Sequence, residues 1–153
     1  MRGNTFKLLK FARKSNFKTS IESLLDRNGI YIGVSAGSII VGPSIEIAGE
    51  VSADKNEVGL EDYTGLGITN LIVLPHYSSD IEEQAKAFEE KYKVCVERIN
   101  NSQAIFIENG KRPLLNKKRG TLSYTSIIRV VPQFFSSSIL LLCPLKSPRQ
   151  AHK

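Results

Sequence analysis

A serine placed to act as a nucleophile stands at the centre of Gly33-Val34-Ser35-Ala36-Gly37, which fits Gly-x-Ser-x-Gly. Ile30-Tyr31-Ile32 before it is a β-branched and aromatic run suited to a buried strand. Small and apolar residues continue after it to Val41, and Gly42-Pro43 ends them. Strand, sharp turn and short helix form the context a nucleophile elbow requires. The two glycines leave room where strand and helix crowd the turn, so the serine is driven to the apex. N–H groups at the start of the helix would then face a developing oxyanion. A match of this kind arises by chance in about one chain in twenty of this length, so it needs a base beside it. Histidine chemistry falls to His76, because the second histidine, His152, stands at the C-terminal end.

The flanking elements must bring those two side chains together. Leu8, Leu9, Phe11 and Ala12 share one side of a helix over residues 5–14. Ile21, Leu24 and Leu25 repeat the pattern over 18–28, where Asn28-Gly29 makes a natural stop. Helix, strand, turn, helix points to an α/β fold with a mostly parallel sheet. Residues 44–51 alternate apolar and polar and read as extended, and 54–61 read as a polar surface loop. Leu71-Ile72-Val73-Leu74 is a continuous apolar run, as in a strand covered on both faces. It leads into Pro75-His76-Tyr77, which sets His76 just past the carboxyl end of that strand, where ligands gather in open α/β sheets. Asp80 with Glu83 resembles a capping box. The stripe Ile81, Ala85, Phe88, Tyr92, Cys95 and Ile99 then predicts one long helix with Cys95 in the core. Ala104 to Glu108 is a last short strand, closed by Asn109-Gly110.

The chain's 153 residues suffice for one domain with a real core. No apolar run is long enough to span a bilayer, and Met1 to Thr5 lacks the apolar core of a signal peptide. Cys95 and Cys143 form neither a metal spacing nor a disulfide framework, which points to a reducing cytoplasm. The net charge of +6 is unevenly spread. Residues 1–110 hold 12 Lys and Arg against all 15 acids, whereas 111–153 hold 9 and no acid. That break divides a domain over 1–110 from a basic, low-complexity tail over 111–153, expected to be disordered or non-native. A frameshifted or fused end and a surface-bound basic arm are the competing accounts. The tail's basic residues are not interleaved with aromatics, which argues against nucleic acid as a partner.

Taken in order, Gly3-Asn4-Thr5-Phe6 with Leu8-Leu9, the segment from Gly33 to Ser38, Gly42-Pro43, Gly65-Leu66-Gly67 and Leu74-Pro75-His76-Tyr77 resemble the peptidase E (α-aspartyl dipeptidase) family. The resemblance runs from about Gly3 to Gly110. It implies a three-layer sandwich with a mostly parallel sheet, similar to class I glutamine amidotransferases, and hydrolysis of small peptides without metal or cofactor. Ser35 would be the nucleophile and His76 the general base. Glu50, fifteen residues after Ser35, falls at the place of the third triad member, with Glu46, Glu61 and Asp62 as fallbacks. The oxyanion donors would be the N–H of Ala36 and the loop containing Gly3. That loop departs from the pattern, with Arg2 where a further glycine is usual. Members of the family also carry βα units ahead of it. The sandwich is therefore expected to be incomplete, with an unpaired sheet edge and uncovered apolar faces. Two functions compete: a cytoplasmic serine peptidase of dipeptidase type, or a catalytically silent remnant acting through binding.

Overall fold

The computed structural model describes residues 3–107 and, for the backbone, 114–116 and 127–130. The chain opens with α1 (Thr5–Lys14) and α2 (Phe17–Asp26), packed through Leu9, Ile21 and Leu25. Asn4 caps α1 by accepting a hydrogen bond from the Lys7 N–H at 2.9 Å. After α2, Asn28 turns left-handed at φ 58, and the Gly29 N–H returns to the Leu24 carbonyl at 2.8 Å. Then follow β1 (Tyr31–Val34), α3 (Ala36–Ile39), α4 (Glu46–Glu50), β2 (Ile72–Pro75), a 3-10 turn (Ser79–Ile81) and α5 (Glu82–Tyr92). The remaining strands are β3 (Val96–Ile99), β4 (Gln103–Ile107), β5 (Leu114–Asn116) and β6 (Ile127–Val130).

Two parallel pairings carry the sheet character that the sequence predicts: β2 with β3, and β4 with β6. Antiparallel pairings flank the second of them, giving the order β1-β6-β4-β5. β1 lies at an edge of that sheet among the described residues. Its Gly33 side is buried, while Ile32 and Val34 on the other side are 58% and 45% exposed. An apolar face of this strand is therefore open to water. β5 and β6 fall inside 111–153, yet their backbones pair with β4 and β1. The rest of 108–153, with the basic run at 117–119, Cys143 and His152, lies outside the described residues, as does Arg2.

Two local expectations give way to packing. Residues 44–51 are not extended, because coiling 46–50 as α4 buries Ile47, Ala48 and Val51 together, at i, i+1 and i+4. The helix expected to run to Ile99 stops at Tyr92, where Lys93 takes φ 54 and its N–H bonds back to the Glu89 carbonyl. Val96 to Ile99 then pairs with β2, where β-branched side chains fit better. Asp80 consequently sits in the 3-10 turn instead of capping α5, and Cys95 lies exposed on the connection to β3 instead of in the core.

A ladder of backbone hydrogen bonds then fixes the long excursion between β1 and β2. Leu66, Gly67 and Ile68 N–H groups donate to the carbonyls of Ile40, Gly42 and Val41 at 2.7, 3.0 and 2.9 Å, and Ile45 N–H donates to Tyr63. A Cβ on Gly65 would stand 2.1 Å from the Gly42 oxygen, so the two backbones meet where no side chain fits. The entry to α1 is pinned across the same surface. Thr5, only 1% exposed, donates its N–H and its hydroxyl to Asp54 Oδ2 at 2.9 and 2.6 Å. Asp54→Ala leaves both buried donors without that acceptor. It should cost on the order of 1.5–3 kcal/mol, read as a lower urea midpoint at unchanged slope.

Candidate active site

The backbone is strained at Ser35, with φ 50 and ψ −118, at the junction of β1 and α3. Local bonds hold it there. Ser38, fully buried, donates its hydroxyl to the Ser35 carbonyl at 2.6 Å, and its N–H reaches the same oxygen at 2.9 Å. Tyr31 reaches back from β1 and donates its hydroxyl to the Gly37 carbonyl at 2.9 Å. Burial pushes that phenol up to about 12. The two glycines have different roles. A Cβ on Gly33 would lie 2.5 Å from the Gly37 carbonyl oxygen, while one on Gly37 would meet only the Tyr31 hydroxyl at 3.5 Å. Gly33 alone carries the close approach of strand to helix. Gly33→Ala should therefore lower the thermal midpoint by several degrees, since a backbone contact must be forced open, whereas Gly37→Ala should leave it nearly unchanged.

β2 positions His76. Ile72, Val73 and Leu74 are buried on both faces, and the strand ends at Pro75. His76 then takes φ 57, and the Tyr77 N–H bonds the Ile99 carbonyl at 3.0 Å, tying this corner to the end of β3. The result brings together groups 41 residues apart in sequence: His76 Nε2 lies 2.9 Å from Ser35 Oγ. On its other side His76 Nδ1 lies 2.6 Å from Asn101 Oδ1. An amide oxygen can only accept, so Nδ1–H is the donor of that pair, which leaves Nε2 to accept from the Ser35 hydroxyl.

The sequence-predicted acids lie elsewhere. Glu50 points to α5, where Oε1 accepts from Lys91 Nζ at 2.7 Å and from the Tyr92 hydroxyl at 2.5 Å. These bonds, Lys91's foremost, hold its carboxyl below the usual carboxylate range. Coiling of α4 explains the displacement, because the side chain at 50 no longer follows a strand towards the sheet rim. Glu46, on the same helix and not on a strand with Glu50, accepts from the Ser44 hydroxyl at 2.9 Å. Asp62 forms an ion pair with Arg13 at 3.0 Å, and Glu61 is exposed on the loop. Asn101 was not singled out from the sequence. Its place in a turn straight after β3 is visible only in the structure, because the sequence pattern runs 93–99 on as helix.

The loop at Gly3 does reach the Ser35 turn. A Cβ on Gly3 would stand 3.9 Å from the Ala36 Cβ. The Ala36 N–H begins α3, where no intrahelical acceptor exists for it. Among the described residues no group of three or more His, Cys, Asp or Glu could hold a metal ion. No helix among them is long and apolar enough to cross a membrane. Glu50 makes its own prediction. A depressed folded-state carboxyl adds stability at pH above the unfolded value, about 4.3, and that stability is lost as pH falls through the lower folded value. Glu50→Gln should thus lower the thermal midpoint at pH 7, and the gap to wild type should close on acidification.

Comparison with known proteins gives this geometry a family. The model of peptidase family S51 matches residues 2–120. The chain belongs to that family. An uncharacterised peptidase of Pasteurella multocida is 28% identical over 121 residues, covering 77% of this chain and 58% of the relative. One from Listeria monocytogenes is 32% identical over 108 residues, covering 69% and 53%. Peptidase E of Citrobacter koseri is 32% identical over 84 residues, covering 55% and 35%. The S51 likeness extends to three dimensions. A crystal structure assigned as a peptidase E protein from Listeria monocytogenes superposes with a TM-score of 0.63 at 28% identity, covering 76% of this chain and 57% of that one. The fold is accordingly α/β with a parallel sheet, of the class I glutamine amidotransferase-like type. This S51 chain spans a little over half the length of the first relatives it matches.

Proposed function

We propose that this chain carries the chemistry of a serine peptidase acting on small peptides, with the turn at Ser35 as its nucleophile elbow. The observation that carries the reading is the 2.9 Å contact of Ser35 Oγ with His76 Nε2, made by a serine at a strained strand-to-helix turn. Membership of family S51 agrees with it. In the first step His76 Nε2 takes the Ser35 proton as Oγ bonds the scissile carbonyl carbon, and the carbonyl electron pair moves onto its oxygen. In this reading the Ala36 N–H and the Gly3 loop, which approaches Ala36, receive that oxyanion. Collapse restores the carbonyl and breaks the C–N bond, while the imidazolium gives its proton to the leaving amine. Water then repeats the sequence on the acyl-enzyme and frees the acid. No step calls for a metal or cofactor.

Aspartyl dipeptides are the first substrates to try, as the resemblance to peptidase E implies. In that family scheme Glu50 would serve as the third triad member, and its engagement with Lys91 and Tyr92 argues for a structural role instead. A fluorophosphonate probe tests the reading directly. Wild type should label at one serine, Ser35→Ala should not label, and His76→Ala should label at least about a hundredfold more slowly. Soluble, monodisperse protein whose Ser35 stays unlabelled would instead favour a silent remnant acting by binding.

A further inference from the structure

We infer that Asn101 is the positioning residue of the site: its amide oxygen holds the His76 ring in the orientation and tautomer that leave Nε2 open to Ser35. This rests on the reading of Ser35 and His76 as nucleophile and base. Four observations carry it. Asn101 Oδ1 lies 2.6 Å from Nδ1, on the side of the ring opposite Ser35 Oγ. The turn bearing Asn101 is built in advance by its neighbours. Gln103 N–H donates to the Asn100 carbonyl at 3.1 Å, Ser102 N–H to Asn100 Oδ1 at 2.8 Å, and Asn100 N–H to Gln103 Oε1 at 3.1 Å. The turn's height along the sheet is set by the parallel register of β2 and β3, in which Pro75 lies opposite Ile99. Two residues past Pro75 the Tyr77 N–H still bonds the Ile99 carbonyl, so His76 and Asn101 leave their strands side by side. Finally, the acids expected for this role are engaged elsewhere, Glu50 with α5 and Asp62 with Arg13.

An uncharged amide performs half of an acid's work. It fixes the ring and the proton on Nδ1, as in cysteine–histidine–asparagine sites, but brings no negative charge to the imidazolium formed during the reaction. The structure thus assigns this site the composition serine, histidine, asparagine.

The experiment uses the full chain with His152→Ala, so that a single histidine remains, labelled with nitrogen-15. Wild-type His76 should show the Nδ1–H tautomer in its imidazole nitrogen spectrum, and Asn101→Ala should move it towards Nε2–H. Fluorophosphonate labelling should slow at least about tenfold in Asn101→Ala and stay within about twofold of wild type in Glu50→Gln. Asn101→Asp should restore labelling, with the acid limb of its pH profile moved to higher pH, because a carboxylate favours the protonated ring. An Nε2–H tautomer in wild type overturns the inference, as does an Asn101→Ala variant that labels at the wild-type rate. So does a reversed ranking in which Glu50→Gln is the slow variant. Failure of the underlying reading looks different: Ser35 stays unlabelled while the Asn101-dependent tautomer is still observed.

Discussion

The site depends on the backbone ladder between residues 40–45 and 63–69. Ser35 and His76 close a loop of 41 residues, and a loose loop of that length holds its ends together poorly. Here the chain leaving α3 and the chain entering β2 are joined directly, carbonyl to N–H, with Leu66 bonded to Ile40 at one end and Ile45 to Tyr63 at the other. The packing is so close that a Cβ on Gly65 would meet the Gly42 oxygen and one on Gly42 would meet the Leu71 oxygen. Once the ladder forms, the free excursion before β2 shrinks to a few residues, and Leu71 to Leu74 drop into the core. Two strained residues, Ser35 at φ 50 and His76 at φ 57, then face one another because the structure around them leaves no alternative.

The charged residues secure this frame more than they populate the site. Arg98 on β3 donates to Glu82 at 2.7 Å and to Glu89 at 2.9 Å, clamping α5 onto the strand that ends at the Asn100–Gln103 turn. Glu89, the foremost partner, raises the guanidinium further, so Arg98 keeps its charge throughout. Glu50, Lys91 and Tyr92 tie α4 to the last turn of α5. Asp54 anchors the start of α1 and with it the loop that meets Ala36. At the serine, the described residues bring a hydroxyl, an imidazole, an amide and backbone N–H groups.

The open face of β1 is the other consequence of the architecture. Ile30, Ile32 and Val34 line one side of the strand that delivers Ser35, and all are more than two-fifths exposed. A run of this kind is normally covered in an α/β sandwich. The strand is nevertheless held in place from below, by Gly33 against α3 and by Tyr31 against Gly37.

The sequence by itself determined the elements whose cause is local. The strand–turn–helix at Ser35 follows from glycine spacing, the histidine at a strand end from an apolar run broken by proline, and α1 and α2 from periodicity and a cap. The family motifs were legible for the same reason, being short and contiguous. It misread 44–51 and 93–99, where alternation and helical spacing both satisfy the pattern and only burial chooses between them. The partner of His76 was decided by tertiary structure alone. Asn101 and Glu50 are both plausible in a linear chain; strand register places one beside the imidazole, and the coiling of α4 turns the other towards α5. Register and helix phase are set by how segments pack, so residue spacing in the chain could not supply them.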